Sequence, residues 1–227
     1  MFIKTLLRLP KVLRRKDFFL CRDVKLHTLT LGNRFADWTF HPEFIDANSI
    51  VYSFGVGTDI SFDLGLIKLF KSNIHAFDPT PKSIEWIKTQ QLPSEFIFHE
   101  IGLAPYDGTA EFTLPSNPNH VSATLLQKES SSGFFKADVN RLKTIMNKLS
   151  HDHLDLMKMD IEGIEYEVID DIISSRIQIK QLLIEFHHRF PNVGIKKSLN
   201  TIQKLRNSGY SIFHISATGE EFSFIKK

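Results

Sequence analysis

The chain has 227 residues, 42% hydrophobic and 24% charged, with 28 Lys and Arg against 26 Asp and Glu. That size and balance suit one globular domain with a substantial core, or one domain with a small extension, and exclude disordered and fibrous classes. Cys21 is the single cysteine, which excludes an internal disulfide framework and makes a reducing compartment the simpler expectation.

Charge is unevenly spread. Residues 1–16 hold Lys4, Arg8, Lys11, Arg14, Arg15 and Lys16 and no acid, so the remainder is slightly acidic and the net charge of +2 implies no nucleic-acid footprint. Phe2, Ile3, Leu6, Leu7, Leu9, Val12 and Leu13 interleave with those cations. No uncharged run suits a secretory signal or a membrane span. Two uses stay open for this stretch: an amphipathic contact with anionic lipid, or packing against the body or a partner chain. The expected location is cytoplasmic, with peripheral membrane contact as its variant, and self-association is left open. Residues 17–49, with Phe35, Trp38, Phe40 and Phe44, are expected to cap the sheet, ahead of a main domain over residues 50–227.

The organising stretch begins at residue 50. Val51, Tyr52, Ser53 and Phe54 form an apolar strand running into Gly55-Val56-Gly57, and residues 60–70 carry apolar side chains at helical intervals. A second strand over 73–77 delivers Asp78 about twenty residues past the glycines, where a carboxylate receives ribose hydroxyls. Because Ile60 stands where a dinucleotide fingerprint has its third glycine, a smaller nucleoside cofactor is expected in preference to NAD.

Beyond that unit the pattern predicts a helix over 82–89, strands over 95–99 and 110–114, and a long irregular loop over 115–133. Then come a helix over 140–149, a strand over 153–159, a helix over 163–173, a strand over 181–186 and a helix over 195–207. A terminal strand pair over 210–215 and 221–225 closes the chain. Strands alternating with helices predict an α/β fold, with a mostly parallel sheet covered on both faces and a terminal antiparallel hairpin. Ligands in such sheets bind beyond the carboxyl ends of the strands.

Three strand ends carry chemistry: Ser53 with the following glycines, Thr58 and Asp59; Lys158, Asp160 and Glu162; and Glu185 with His187. If the last two strands are neighbours, Asp160, Glu162, Glu185 and His187 converge. A histidine oriented by a carboxylate is a candidate general base, and Lys158 a candidate for offsetting negative charge or steadying an oxyanion. A divalent ion held by carboxylates and imidazole is the alternative, although no compact metal motif calls for one.

These residues resemble the FkbM-like family of S-adenosylmethionine-dependent methyltransferases. The resemblance rests on Ser53-Phe54-Gly55-Val56-Gly57-Thr58-Asp59, Phe77-Asp78-Pro79, Ile101-Gly102-Leu103, the block Lys158-Met159-Asp160-Ile161-Glu162-Gly163-Ile164-Glu165, and Glu185-Phe186-His187. It covers residues 50–215 and implies a Rossmann-like, seven-stranded class I methyltransferase fold that binds S-adenosylmethionine. It further implies that Gly55 and Gly57 face the methionine part, Asp78 the ribose, and Gly102 and Leu103 the adenine, with Ser122 closing over the cofactor. Ser53 departs from the acid usual at its position, which turns attention to Asp59 or Asp160 for the cofactor's amino group. The implied reaction is O-methylation of a sugar, glycan or natural-product hydroxyl, with His187 as base oriented by Glu185 and with Asp160 and Glu162 positioning the reactants. The alternatives are a metal-assisted enzyme of the same fold, or a cofactor-binding scaffold without turnover. Substrate walls are expected from residues 17–49 and 115–133.

Overall fold

The computed structural model describes residues 8–114, 124–125 and 133–227. Its centre is a seven-stranded sheet whose strands read, from one edge to the other, β11 (Tyr210–Ile215), β12 (Glu221–Lys226), β10 (Gln178–Glu185), β9 (His153–Met159), β3 (Val51–Phe54), β4 (Ile74–Phe77) and β5 (Phe96–His99). β12 runs antiparallel to both of its neighbours, and the pairs from β10 across to β5 are parallel. A central parallel strand buries both faces, which is why β3 reads as the unbroken apolar run Val51 to Phe54 with one serine. Chain direction through the sheet reverses at β3, which pairs with β4 on one side and β9 on the other; this is the switch point at which open α/β sheets bind ligands.

Alternation along the strands feeds two core layers. Tyr52, Phe54, Met157 and Met159 point to the layer filled by α4 (Leu142–Lys148), α5 (Glu165–Ser174) and α6 (Ile195–Asn207). Val51, Ala76, Leu156 and Leu183 point to the layer filled by α2 (Ser61–Phe70), α3 (Pro81–Lys88) and the hairpin of β1 (Leu29–Leu31) with β2 (Trp38–Phe40). That hairpin, within the stretch expected to act as a cap, is fastened to the sheet. His41 N donates to Gln181 Oε1 and Gln181 Nε2 donates to His41 O, both at 2.9 Å, while Ser223 Oγ donates to Thr39 O at 2.6 Å.

A smaller sheet stands beside the main one: β6 (Gly102–Leu103), β8 (Phe134–Asn140) and β7 (Gly108–Thr113). β8 has no counterpart among the sequence expectations. Phe135, Ala137 and Val139 alternate with Lys136, Asp138 and Asn140, a local strand signal that the sequence reading left unused, and β8 pairs with β7 and β6. Near the amino end, the short helix α1 (Leu9–Leu13) follows Arg8, whose buried guanidinium meets Asp17 at 2.8 Å. Among the described residues no helix is long and apolar enough to cross a membrane.

Candidate active site

The turn after β3 is shaped by the end of β9. Gly55 has φ +75°, and a Cβ there would stand 1.7 Å from the backbone oxygen of Asp160, so the two strand ends touch through the missing side chain. Lys158 Nζ donates to Gly55 O at 2.6 Å and lies over the Trp38 ring, which ties the turn down from the hairpin side. Gly57, also at positive φ, has open space where a Cβ would be. Its N–H donates to Asp78 Oδ2 at 2.9 Å, and Thr80 N–H donates to Asp78 Oδ1 at 2.8 Å. Each oxygen of Asp78 therefore keeps one lone pair for a ligand.

Two cavities open at this switch point. The first encloses about 620 Å³, its open mouth included, between the glycine turn, Asp78, Gly102, Leu103, Asp160 and Glu162, with Phe77, Pro79, Phe112 and Ile161 as apolar walls. The second, of about 920 Å³ on the same basis, is an acidic basin with Asp59, Asp160, Glu185 and Glu221 on its walls, Lys158 at its floor and Phe35 and Trp38 at one side. Gly55, Gly57 and Asp160 line both, so the two cavities meet at those residues.

Behind Asp160 lies a buried charged cluster. His187 Nδ1–H donates to Glu165 Oε1 at 2.7 Å, and its Nε2 stands 3.6 Å from both Asp160 Oδ1 and Glu162 Oε2. Burial by itself would depress the His187 pKa; the Glu165 carboxylate, with Asp160 and Glu162, outweighs it and raises the imidazolium well above its usual range. Burial and the Asp160 charge together raise the Glu185 carboxyl well above the carboxylate range. Glu162 takes φ +56° and Gly163 φ +111°, a left-handed pair that turns the chain between β9 and α5 and brings Glu162 back toward His187.

The structure brings together Gly55, Gly57, Asp78, Gly102, Leu103, Asp160 and Glu162 around the first cavity. Thr58 and Asp59 face the basin instead, and Asp59 also holds Ser61 N–H at 2.9 Å at the start of α2. Three expected residues stand in a different arrangement. Ser53 lines neither cavity: it is fully buried, beside the Asp63 carboxyl of α2, whose pKa burial pushes up to about 6 against the pull of Lys158 and Ser53. Glu185 does not orient His187, because β10 ends with its side chain in the basin, and Glu165 holds the ring. His187 lines neither cavity, so its ring does not meet a substrate there as a base. Glu165 went unassigned although it is the last residue of the Lys158 to Glu165 block, whose spacing was the signal available. Ser122 lies outside the described residues.

These residues fit S-adenosylmethionine. The lone pairs of Asp78 suit ribose hydroxyls, the open space over Gly57 admits a chain against bare backbone, and the apolar walls beside Gly102 and Leu103 suit a purine. Strand order, with a pocket at the switch point, defines a Rossmann-like domain. The methyltransferase FkbM domain model matches residues 41–212, and the chain belongs to that family. It is 25% identical over 175 residues to human "Probable methyltransferase-like protein 24" and 24% identical to the rat protein of the same name, covering 72% of this chain. The match covers 42% of each relative, so the chain spans less than half the length of the curated proteins it resembles. Among solved structures, the Methanococcus jannaschii fibrillarin pre-rRNA processing protein aligns with TM-score 0.49 at 10% identity, over 80% of this chain and 67% of that one. Aeropyrum pernix fibrillarin, solved with natively bound S-adenosyl-L-methionine, aligns with TM-score 0.44 at 8% identity, over 82% and 68%.

Proposed function

We propose that this chain methylates a hydroxyl oxygen of a saccharide or small natural-product-like molecule that enters the acidic basin. The observation that carries the reading is the shared edge: Asp160 and the glycine turn line both cavities, so an acceptor in the basin reaches a group in the cofactor pocket across them. Bound S-adenosylmethionine supplies an electrophilic methyl on a sulfonium sulfur, leaving as S-adenosylhomocysteine once the new O–CH3 bond has formed. The protein's part is alignment and proton handling. Asp160 and Glu185 both face the basin; Asp160 accepts a hydroxyl's hydrogen bond and proton, Glu185 positions the guest by hydrogen bonding, and several acids together favour a polyhydroxyl guest. His187 acts one step back as a positioning residue: its charge, anchored by Glu165, holds Asp160 and Glu162 near their places. Lys158 holds the turn through Gly55 O.

The test is transfer of labelled methyl from S-adenosylmethionine to a panel of saccharides and hydroxylated natural products, with light scattering reading the oligomeric state. Turnover on a hydroxyl acceptor that Asp160→Asn reduces, while S-adenosylhomocysteine still binds, supports the reading. Tight cofactor binding with no transfer across the panel would favour a scaffold role.

For location, the reading is a cytoplasmic protein that touches anionic lipid through α1. Exposed Leu9, Leu13 and Phe19 lie among Lys11, Arg14 and Arg15, while Arg8 pins the helix to the body through Asp17. Equal sedimentation with phosphatidylserine and phosphatidylcholine vesicles would dispose of it.

A further inference from the structure

Asp160, Glu185 and His187 each offer a ligand atom within 4.8 Å of the others, the two carboxylates lining the basin and the imidazole behind them. Carboxylates gather on many surfaces without an ion, so the argument turns on the imidazole and on what surrounds it. The His187 side chain is 9% exposed. Its Nδ1–H is committed to Glu165, itself fully buried, the arrangement that carboxylates make behind metal-bound histidines to fix the ring and aim the other nitrogen. That other nitrogen, Nε2, points at oxygens 3.6 Å away on Asp160 and Glu162, too far for a hydrogen bond. Asp160 Oδ1 is likewise buried with no hydrogen-bond partner. Adjacent donors about 2.1 Å from one octahedral ion stand about 3.0 Å apart, so a closure of about 0.6 Å brings Nε2 and Asp160 Oδ1 from 3.6 Å to the spacing of ligands on one centre.

We infer that Asp160 Oδ1, Glu185 and His187 Nε2 form a binding site for a divalent cation of the Mg²⁺ or Mn²⁺ kind behind the wall of the acidic basin. The ion displaces the proton from Nε2 as it binds. Two carboxylates and one imidazole favour such an ion over soft metals, which call for thiolates, and the lone Cys21 is far from this site in sequence and exposed. Water or an acceptor hydroxyl would complete the shell from the basin side, where Asp160 and Glu185 are accessible. There the ion would polarise the hydroxyl and ease loss of its proton to solvent or a free carboxylate oxygen. That role rests on the acceptor reading above; the site itself does not.

The test therefore measures binding and not turnover. The whole chain, freed of metal, is titrated with Mn²⁺ by calorimetry, and the bound ion is examined by electron spin-echo modulation for coupling to an imidazole nitrogen. One Mn²⁺ per chain with that nitrogen coupling is expected, at a dissociation constant of roughly 100 µM or tighter. Asp160→Asn, Glu185→Gln and His187→Gln should each weaken it by about tenfold or more. No binding by the native chain at millimolar Mn²⁺, or bound Mn²⁺ without the nitrogen coupling, overturns the site whatever the variants do. Unchanged affinity in all three variants does the same. Because methyl transfer plays no part in the readout, failure of the site and failure of the acceptor reading are told apart.

Discussion

Glu165 Oε1 and His187 Nδ1 lie 2.7 Å apart, sealed from solvent, although 22 residues separate them in the chain. The first opens α5 and the second follows β10, so the crossover from β9 through α5 to β10 closes on this contact. It sets the charge of the imidazole, and through it the spacing of the acids at the mouth of the cofactor pocket. In Glu165→Gln the largest favourable term for the imidazolium is removed. The His187 pKa, followed by NMR titration, should fall, and the fold should lose about 1–3 kcal/mol in denaturant titration. An unmoved titration would show that Asp160 and Glu162 suffice to hold the charge.

The two glycines of the first turn should respond differently to alanine. At Gly55 the new methyl carbon meets the Asp160 backbone oxygen at 1.7 Å, which neither strand can relieve cheaply, so Gly55→Ala should cost about 3 kcal/mol or more. At Gly57 nothing stands within 4 Å, and the strain of a left-handed alanine is about 1–2 kcal/mol. There the methyl projects into free space beside the cofactor pocket, so Gly57→Ala should lose more in S-adenosylhomocysteine affinity than in stability. Calorimetry and urea unfolding on both variants check the contrast.

Asp78 is held by two backbone N–H groups, one on each oxygen. An asparagine cannot satisfy both, because its amide NH2 must face one of those donors. Asp78→Asn should therefore resemble Asp78→Ala, each lowering S-adenosylhomocysteine affinity by about 10-fold or more, through the lost carboxylate and the loosened turn. An asparagine variant that binds at the native level would remove Asp78 from the ribose contact.

Burial, with repulsion from His99 and His151, lowers the His75 pKa to about 4, and burial lowers His188 to about 4 as well. Both folded values lie below the unfolded value near 6.5, so the unfolded chain binds more protons between them. Their contribution is complete above pH 6.5 and is lost as the pH falls toward 4. His187 and Glu185, whose pKa values are raised, act in the opposite sense. His75→Phe isolates one term: the stability lost between pH 7 and pH 4.5 should be smaller than in the native chain by on the order of 1 kcal/mol, after allowance for the partial exposure of the ring. Equal pH slopes in the two proteins would show that the ring is not neutral in the fold.

The sequence by itself determined the alternation of strands and helices and so the layers of the main sheet. Central parallel strands are apolar on both faces and helices are apolar on one, so β3, β9 and β10 and the whole of α6 from Ile195 to Asn207 were legible as local patterns. The cofactor pocket was legible for the same reason: Gly55, Gly57, Asp78, Gly102 and Asp160 sit at strand ends that the alternation places, and the Lys158 to Glu165 block marks the switch point. Tertiary structure alone decided which polar group meets which. Nothing in their spacing says that Glu165, and not Glu185, holds His187, or that Ser53 is sealed beneath the turn. Periodicity is written by neighbours a few residues apart, whereas those contacts depend on the distance between packed elements, which the chain sets only when both core layers have closed.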